Sequence, residues 1–439
     1  MGYLIFLIYT PITFIAKFLF WIASLVSKRA RNFRRQRLDA IQILKTIEVP
    51  KNSTAYWFHG ASVGELDQAK SLARECKNRE PNCFIMLTWV SDSVTDKNLS
   101  DSPANINLPL PLDSPFSYNL YFDKLKPKHL LLFTWDTWSW LIRSAYNRKI
   151  PISLVCATLG EKSGRKGFFS RALTMQVFSW LFGIYTAHSI FIDKFEKLLE
   201  LKVDTNTEKI LLNGKSIFLK NLGDTRFDAV IQKIQNSNEP EKFTKFLDTI
   251  EVSSSNNQAI IFASTYSVCE SGIIDWISTI EIKDSKCIWI FPHKIDIHRI
   301  EKLHEDCKKL GWTVCKFSQP VAKAKIILFD ELGILAFAYK YGLISYVGGG
   351  FHHRIHNTIE PAYFGLPILT GPRIYNSPEA LVMQSKGGLI SIDSPKDLKI
   401  QIHHLLSNPK RLMEIQKINQ NFVLDNKGAS QRIYEEVLV

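Results

Sequence analysis

The stretch His59-Gly60-Ala61-Ser62-Val63-Gly64-Glu65 packs an imidazole, a hydroxyl and a carboxylate between an apolar run and a segment of helical spacing. Two chemistries compete for it. Gly60-x-Ser62-x-Gly64 fits a nucleophile elbow, the strained strand-to-helix turn that exposes a serine at the C-terminal edge of a sheet. Its position argues against that, because one strand at most precedes Ser62 after the N-terminal apolar segment. The other chemistry makes the glycines a close-approach turn and sets Glu65 at the helix start as a general base on a hydroxyl, with Ser62 and Gly64 against the bound group. A plainer role also fits: a carboxylate that complements the helix dipole.

A second constellation is Tyr346-Val347-Gly348-Gly349-Gly350-Phe351-His352-His353-Arg354-Ile355-His356-Asn357-Thr358-Ile359-Glu360-Pro361. Backbone N–H groups freed by Gly348, Gly349 and Gly350, with a helix start near Thr358, suit a phosphate. His356 and Asn357 stand beside them, and Glu360 can accept both hydroxyls of a ribose. His352, His353 and His356 as metal ligands fit less well, since no Cys or acid stands at ligand spacing. No metal site is expected. Two smaller pieces follow apolar runs in the same half: Ser264-Thr265, and Pro292-His293-Lys294, whose hydroxyls and cations favour an anionic group. Each alone also reads as a cap or a solvated loop. In the first half, Asp136 in Phe133-Thr134-Trp135-Asp136-Thr137-Trp138 is a helix cap or a second acid, and Lys162, Arg165 and Lys166 form a basic loop open to a phosphorylated acceptor.

Elements that position these residues are legible as alternation. Ala55 to His59, Cys83 to Trp89, His129 to Phe133 and Ile152 to Ala157 read as strands, separated by helical spacing at Leu66, Ala69, Leu72, Ala73 and Cys76 and at Trp138 to Tyr146. After the polar stretch Gln232 to Asn257, a second series of strands covers Ala259 to Ala263, Lys286 to Phe291, Lys325 to Phe329, Leu343 to Val347 and Pro367 to Leu369. Strand-helix alternation implies parallel, doubly wound sheets, so the fold class is α/β with two Rossmann-like domains and a cleft between them. The expected boundaries are 1–40 for an N-terminal anchor and basic collar, 41–228 for the first domain, 229–257 for a linker, 258–410 for the second domain and 411–439 for terminal helices.

The N-terminal segment is apolar from Tyr3 to Val26 apart from Pro11 and Lys17, and Lys28, Arg29, Arg31, Arg34, Arg35 and Arg37 follow it. Charges after the apolar run exclude a cleavable signal, whose charges come first. At about 100° per residue, Thr10, Thr13, Lys17 and Ser24 share one stripe. That stripe suits an interfacial helix, a helix packed on its own domain, or a tilted span. The collar would hold anionic lipid in each case. The whole chain of 439 residues has 55 Lys and Arg against 42 Asp and Glu, a formal charge of +13, which favours a polyanionic partner. Seven Cys without CxxC or Cys/His spacing exclude a readable disulfide framework or structural zinc site.

In order along the chain, these pieces resemble the Kdo transferases, lipopolysaccharide enzymes that move 3-deoxy-D-manno-oct-2-ulosonic acid (Kdo) from CMP-Kdo onto a lipid A precursor. Ser62-Val63-Gly64-Glu65 resembles that family's segment carrying the proposed base, which maps to Glu65. Gly223-Asp224-Thr225-Arg226-Phe227-Asp228 resembles its hinge-region signature. Val347-Gly348-Gly349 with His356-Asn357-x-x-Glu360-Pro361 and Gly371-Pro372 is similar to its nucleotide-binding segment. The family's usual Glu-Thr-Glu-x-Trp-Pro run stands here as Thr134-Trp135-Asp136-Thr137-Trp138-Ser139, keeping the second acid as Asp136. Its Pro-Arg-His and Ser-Thr-His stand as Pro292-His293-Lys294 and Ser264-Thr265-Tyr266, which marks a divergent branch.

The resemblance implies a GT-B type fold, inverting transfer with Glu65 and Asp136 as catalytic residues, and no cofactor beyond the donor substrate CMP-Kdo. It implies partners in the lipid A precursor and anionic membrane lipid, with no nucleic acid, at the cytoplasmic face of the inner membrane. Two other functions stay open at this stage: a serine hydrolase using Ser62, and a membrane-tethered nucleotide-binding protein without turnover.

Overall fold

The computed structural model describes residues 2–160, 167–251, 259–281, 286–375 and 377–439. The basic loop Lys162, Arg165 and Lys166, and Ser253 to Asn257 of the polar stretch, lie outside the described residues. The chain divides into two units, Met1–Ala229 with Gly428–Val439, and Val230–Lys427.

The first unit begins with two helices, α1 (Gly2–Val26) and α2 (Lys28–Thr46). Eight strands follow: β1 (Ala55–His59), β2 (Phe84–Trp89), β3 (Ile106–Pro109), β4 (His129–Phe133), β5 (Ile152–Ala157), β6 (Gly183–Thr186), β7 (Lys209–Leu212) and β8 (Lys215–Asn221). They form one sheet in the order β3-β2-β1-β4-β5-β6-β8-β7. The first six repeat the 3-2-1-4-5-6 order of a dinucleotide-binding sheet, and all pairs are parallel except the β7/β8 hairpin. Every residue of β1, β4 and β5 is buried, as apolar runs sandwiched by helices on both faces must be. One layer of core packs Trp57, Met86, Leu130 and Leu154, and the other packs Phe58, Leu66, Leu131 and Val155 together with Ile433 and Val437 from the chain's end.

In the second unit β9 (Ala259–Thr265), β10 (Cys287–Pro292), β11 (Val314–Lys316), β12 (Ile326–Leu328), β13 (Gly342–Val347), β14 (Ile368–Thr370) and β15 (Leu389–Ser391) pair wholly in parallel. Their order is β11-β12-β10-β9-β13-β14-β15. Reversal of strand order falls between β1 and β4 in the first sheet and between β9 and β13 in the second. Ligands of open parallel sheets bind at the carboxyl ends of strands beside such a reversal.

In the stretch 229–257, read as a linker, the described residues 229–251 are largely helical. Helix Thr225–Asn236 runs into it, and helix Glu241–Thr249 buries Phe243, Phe246 and Leu247 with Ile250 just beyond. Its apolar positions recur at i, i+3, i+4 and i+7, a helical face that its polar residues conceal when composition is averaged. The stretch 411–439, read as terminal helices, is divided: helix Pro409–Asp425 belongs to the second unit, whereas Ala429–Ile433 and Tyr434–Leu438 return to the first.

Candidate active site

In the first unit the residues singled out converge on the β1/β4 reversal. β1 ends in His59, Gly60 makes the turn, and α3 (Val63–Arg79) starts with Ser62 as its cap and Glu65 in its first turn. The Ser62 backbone N–H donates to Glu65 Oε2 at 2.8 Å, closing a capping box, and the Ser62 hydroxyl donates to the same oxygen at 3.1 Å. Gly60 is required: a Cβ there would stand 2.7 Å from the backbone carbonyl of Glu65. Gly64 has open space around it, so no backbone or side chain dictates its identity.

Burial, and next the nearby charge of Asp136, push the Glu65 carboxyl above the ordinary glutamate value, against the pull of the two Ser62 donors and of His59. A base poised this way holds its proton more tightly once it has taken one.

Asp136 is supplied by the turn after β4, where Thr134 adopts φ +65°. Its Oδ2 accepts from His59 Nε2 at 2.9 Å and from Trp138 Nε1 at 2.8 Å. His59 is fully buried, and its Nδ1 lies 2.9 Å from Thr88 Oγ1, which in turn accepts from Trp57 Nε1 at 3.0 Å. One set of protons satisfies every atom: Trp57 donates to Thr88, Thr88 to His59 Nδ1, and His59 Nε2–H to Asp136. His59 and Trp138 therefore fix the carboxylate that raises Glu65. No role attaches to either from the motif alone. The usable signal was position, because a polar side chain closing a buried parallel strand faces the strand-end site.

This arrangement disfavours an elbow nucleophile. Ser62 has extended backbone angles (φ −121°, ψ 172°), its hydroxyl is bonded to a carboxylate, and the imidazole of His59 is bonded elsewhere.

The hinge-like signature is structural in the first unit. Asp224 Oδ1 accepts from Gln68 Nε2 at 2.8 Å, Thr225 Oγ1 donates to the Gln68 carbonyl at 2.9 Å, and Asp228 accepts from the N–H groups of Gly428 and Ser430 at 2.6 and 2.7 Å. Thr134, two residues before Asp136, donates to the other end of the Gln68 amide at 2.8 Å.

In the second unit the pieces gather at the β9/β13 reversal. Gly348, Gly349 and Gly350 are there for backbone approach. A Cβ on Gly348 would lie 2.0 Å from the Ser264 carbonyl oxygen, Gly349 sits at φ +95°, and a Cβ on Gly350 would meet Gly371 at 2.6 Å. The expectation that this run frees a row of donors is corrected at Gly348, whose N–H donates to the Ala263 carbonyl at 2.8 Å. The short helix Ile359–Tyr363 follows Thr358, and the Asn357 side chain accepts from the Ile359 N–H at 2.9 Å. The buried Thr358 hydroxyl has no hydrogen-bond partner among the described residues. Glu360 is nearly buried and ion-paired with Lys233 at 2.9 Å.

Ser264 and Thr265 close β9. Thr265 donates to Glu270 at 2.8 Å, while Arg299 clamps both Glu270 oxygens and the Thr265 carbonyl, so Thr265 braces the strand end. Tyr266, one residue on, is the centre of an aromatic cluster unforeseen in the sequence. Its ring stacks on His293 and His352 with centroids 4.9 and 4.8 Å away, and its hydroxyl meets His356 Nε2 at 3.0 Å. Burial, then His293 and Arg354, press His356 down to about 4, and burial with Lys294 and Arg299 lowers His293. Pro292 is buried at the end of β10 and Lys294 is exposed beyond it. Among the described residues no group of three or more His, Cys, Asp and Glu side chains is arranged to hold a metal ion.

Residues 33–211 match the family model described as 3-deoxy-D-manno-octulosonic-acid transferase (kdotransferase). Over 397 residues the chain is 25% identical to the 3-deoxy-D-manno-octulosonic acid transferase of Rickettsia felis, covering 87% of this chain and 77% of that one. With the enzyme of the same name from Haemophilus influenzae it shares 21% identity, over 94% of this chain and 93% of the other. Among solved structures it is similar to UDP-GlcNAc 2-epimerase from Neisseria meningitidis bound to UDP-GlcNAc (14% identity, TM-score 0.60, 88% of this chain and 99% of that one). It is also similar to MurG of Acinetobacter baumannii (13% identity, TM-score 0.54, 88% and 99%). The fold is of the GT-B type, two parallel α/β units each with its own strand-end site.

Proposed function

We propose that this chain is a Kdo transferase, a glycosyltransferase of lipopolysaccharide biosynthesis: residues 33–211 carry that family's domain, and relatives bearing that name align along nearly the full length of the chain. In its finer form the proposal is inverting transfer from CMP-Kdo to a hydroxyl of a lipid A precursor at the cytoplasmic face of the inner membrane. The acceptor belongs to the first unit and the donor to the second.

Glu65 takes the proton of the acceptor hydroxyl as that oxygen attacks the anomeric carbon of Kdo. The bond from that carbon to the phosphate oxygen breaks, and CMP leaves as a phosphate monoester. Asp136, held by His59 and Trp138, keeps Glu65 basic and orients the acceptor. In the second unit Glu360 and Asn357 take the ribose side of the donor. His293, Lys294, His356 and the Ser264 hydroxyl take its phosphate, at strand tips that Thr265 braces and that Gly348, Gly349 and Gly350 let pack closely. The Lys294 ammonium, the imidazole N–H groups and the Ser264 hydroxyl meet the leaving charge, so neither a divalent metal nor a cofactor is part of the proposal.

The observation that carries the reading is a carboxylate raised by burial and by a fixed second acid, on a helix start beside the strand-order reversal. Purified protein incubated with CMP-Kdo and a lipid A precursor, in chelator, is expected to give a product heavier by one or more Kdo units in mass spectrometry. No mass gain with intact CMP binding would leave a binding protein instead. A requirement for added metal would remove the metal-free step.

A further inference from the structure

The polar stripe of α1 is not turned to solvent or lipid. It faces the helix's own unit. Tyr9 Oη donates to Asp113 Oδ2 at 2.8 Å, and Lys17 Nζ donates to the hydroxyls of Ser114 and Ser117, the latter at 2.7 Å. Asp113 is itself buried and fixed by Tyr118 Oη at 2.7 Å and by the Trp140 N–H at 3.1 Å. Phe6, Thr13 and Ser24 on the same side are buried, Phe6 packing edge-on against Trp140 at 5.3 Å.

Directly opposite, Ile8, Ile12, Ile15, Leu19 and Ile22 recur at i, i+4, i+7, i+11 and i+14, and all are exposed, four of them by more than half. Lys28, Arg29, Arg31, Arg34 and Arg35 are exposed on α2, whereas Arg37 is buried and donates to the Leu110 and Val90 carbonyls.

Residues Ile8–Val26 have the length and hydropathy to cross a bilayer. A crossing would put Lys17, the middle residue, at mid-depth. Its partners Ser114 and Ser117 lie in irregular backbone between β3 and helix Asn119–Leu125, and such backbone is not exposed to lipid at that depth.

We infer that α1 does not span a membrane but lies along the surface of an anionic bilayer, clamped to its own unit by Tyr9 and Lys17 while the Ile8-to-Ile22 stripe enters the lipid and the α2 cations meet the headgroups. The occupant follows from chemistry: a continuous apolar stripe on α1, followed in the chain by five exposed cations on α2, fits an acidic lipid surface. The inference rests on the membrane location in the proposed function and sharpens it from attachment to orientation.

Epitope tags at the two termini of the full chain test it, with protease added to spheroplasts and to inside-out membrane vesicles. Both tags are expected to be cut in inside-out vesicles and protected in spheroplasts; tags on opposite sides would overturn the inference. In a second measurement the Ile15→Glu/Leu19→Glu chain, with unchanged circular dichroism, is mixed with phosphatidylglycerol and phosphatidylethanolamine vesicles. It should partition at least tenfold less than wild type, and equal partitioning would equally overturn it. Neither readout uses Kdo transfer, so an inactive enzyme leaves the inference intact and a spanning helix leaves the transfer reading intact.

Discussion

Replacing Glu65 by glutamine separates catalysis from folding at one atom. The amide oxygen of the new side chain can still accept from the Ser62 N–H, because glutamine also closes a capping box. Two donors at 2.8 and 3.1 Å then face a neutral acceptor instead of a charged one, and the unfavourable burial of that charge disappears. The two changes oppose each other, so stability should move by less than about 1 kcal/mol. Loss of a general base costs about 10²–10⁴ in rate. At 1.36 kcal/mol per decade this is about 2.7–5.4 kcal/mol of barrier, several times the stability change. The assay is turnover of CMP-Kdo onto a lipid A precursor by mass spectrometry, beside thermal unfolding and CMP titration calorimetry. The expected result is a folded protein with wild-type CMP affinity and a collapsed kcat. Transfer within about threefold of wild type would refute the base assignment, since no general base is worth so little.

Asp136→Asn removes the like charge that helps hold Glu65 up. The Glu65 pKa falls, and the acid limb of the pH profile of kcat/KM, where the base is protonated, moves to lower pH. An unmoved limb would show that burial alone sets it. Ser62→Ala loses the hydroxyl at the head of α3, at about 1 kcal/mol in chemical denaturation, yet retains transfer to within about tenfold. Abolished turnover, or labelling of the wild type by a serine-reactive phosphonate, would revive the hydrolase. Gly348→Ala forces a methyl against the Ser264 carbonyl, a clash with rigid backbone that should cost about 1–3 kcal/mol and weaken CMP binding in calorimetry. A variant as stable as wild type would show that the β9/β13 tips have room to move apart.

Long buried strands were legible because both faces of a parallel sheet demand apolar residues: Ala55–His59, His129–Phe133 and Ile152–Ala157 stand where the runs stand. Short strands at or near the edges, such as Lys209–Leu212 or Leu389–Ser391, were not, because three or four half-exposed residues carry no period. The site divides similarly. Glu65 and Asp136 announce themselves as carboxylates beside glycine or tryptophan at strand ends. The His59 relay through Thr88 depends on pairing between β1 and β2, whose register joins His59 to Thr88 across some thirty residues of chain. The Tyr266 cluster likewise needs three strand tips brought together. The glycine run was seen but given the wrong work at Gly348, since spacing reveals that a Cβ is missing and not which neighbour forbids it.

The return of Gly428–Val439 to the first unit has a consequence for biosynthesis. Ile433, Tyr434, Val437 and Leu438 complete the apolar layer around Leu66 and Leu131, and Asp228 anchors the returning backbone. A ribosome therefore releases the second unit's entire sequence before the part begun first can be finished. Until Gly428–Val439 has been made, that early part waits with one face uncovered, a natural client for a chaperone. Loss of Gly428–Val439 would injure the unit that was made first.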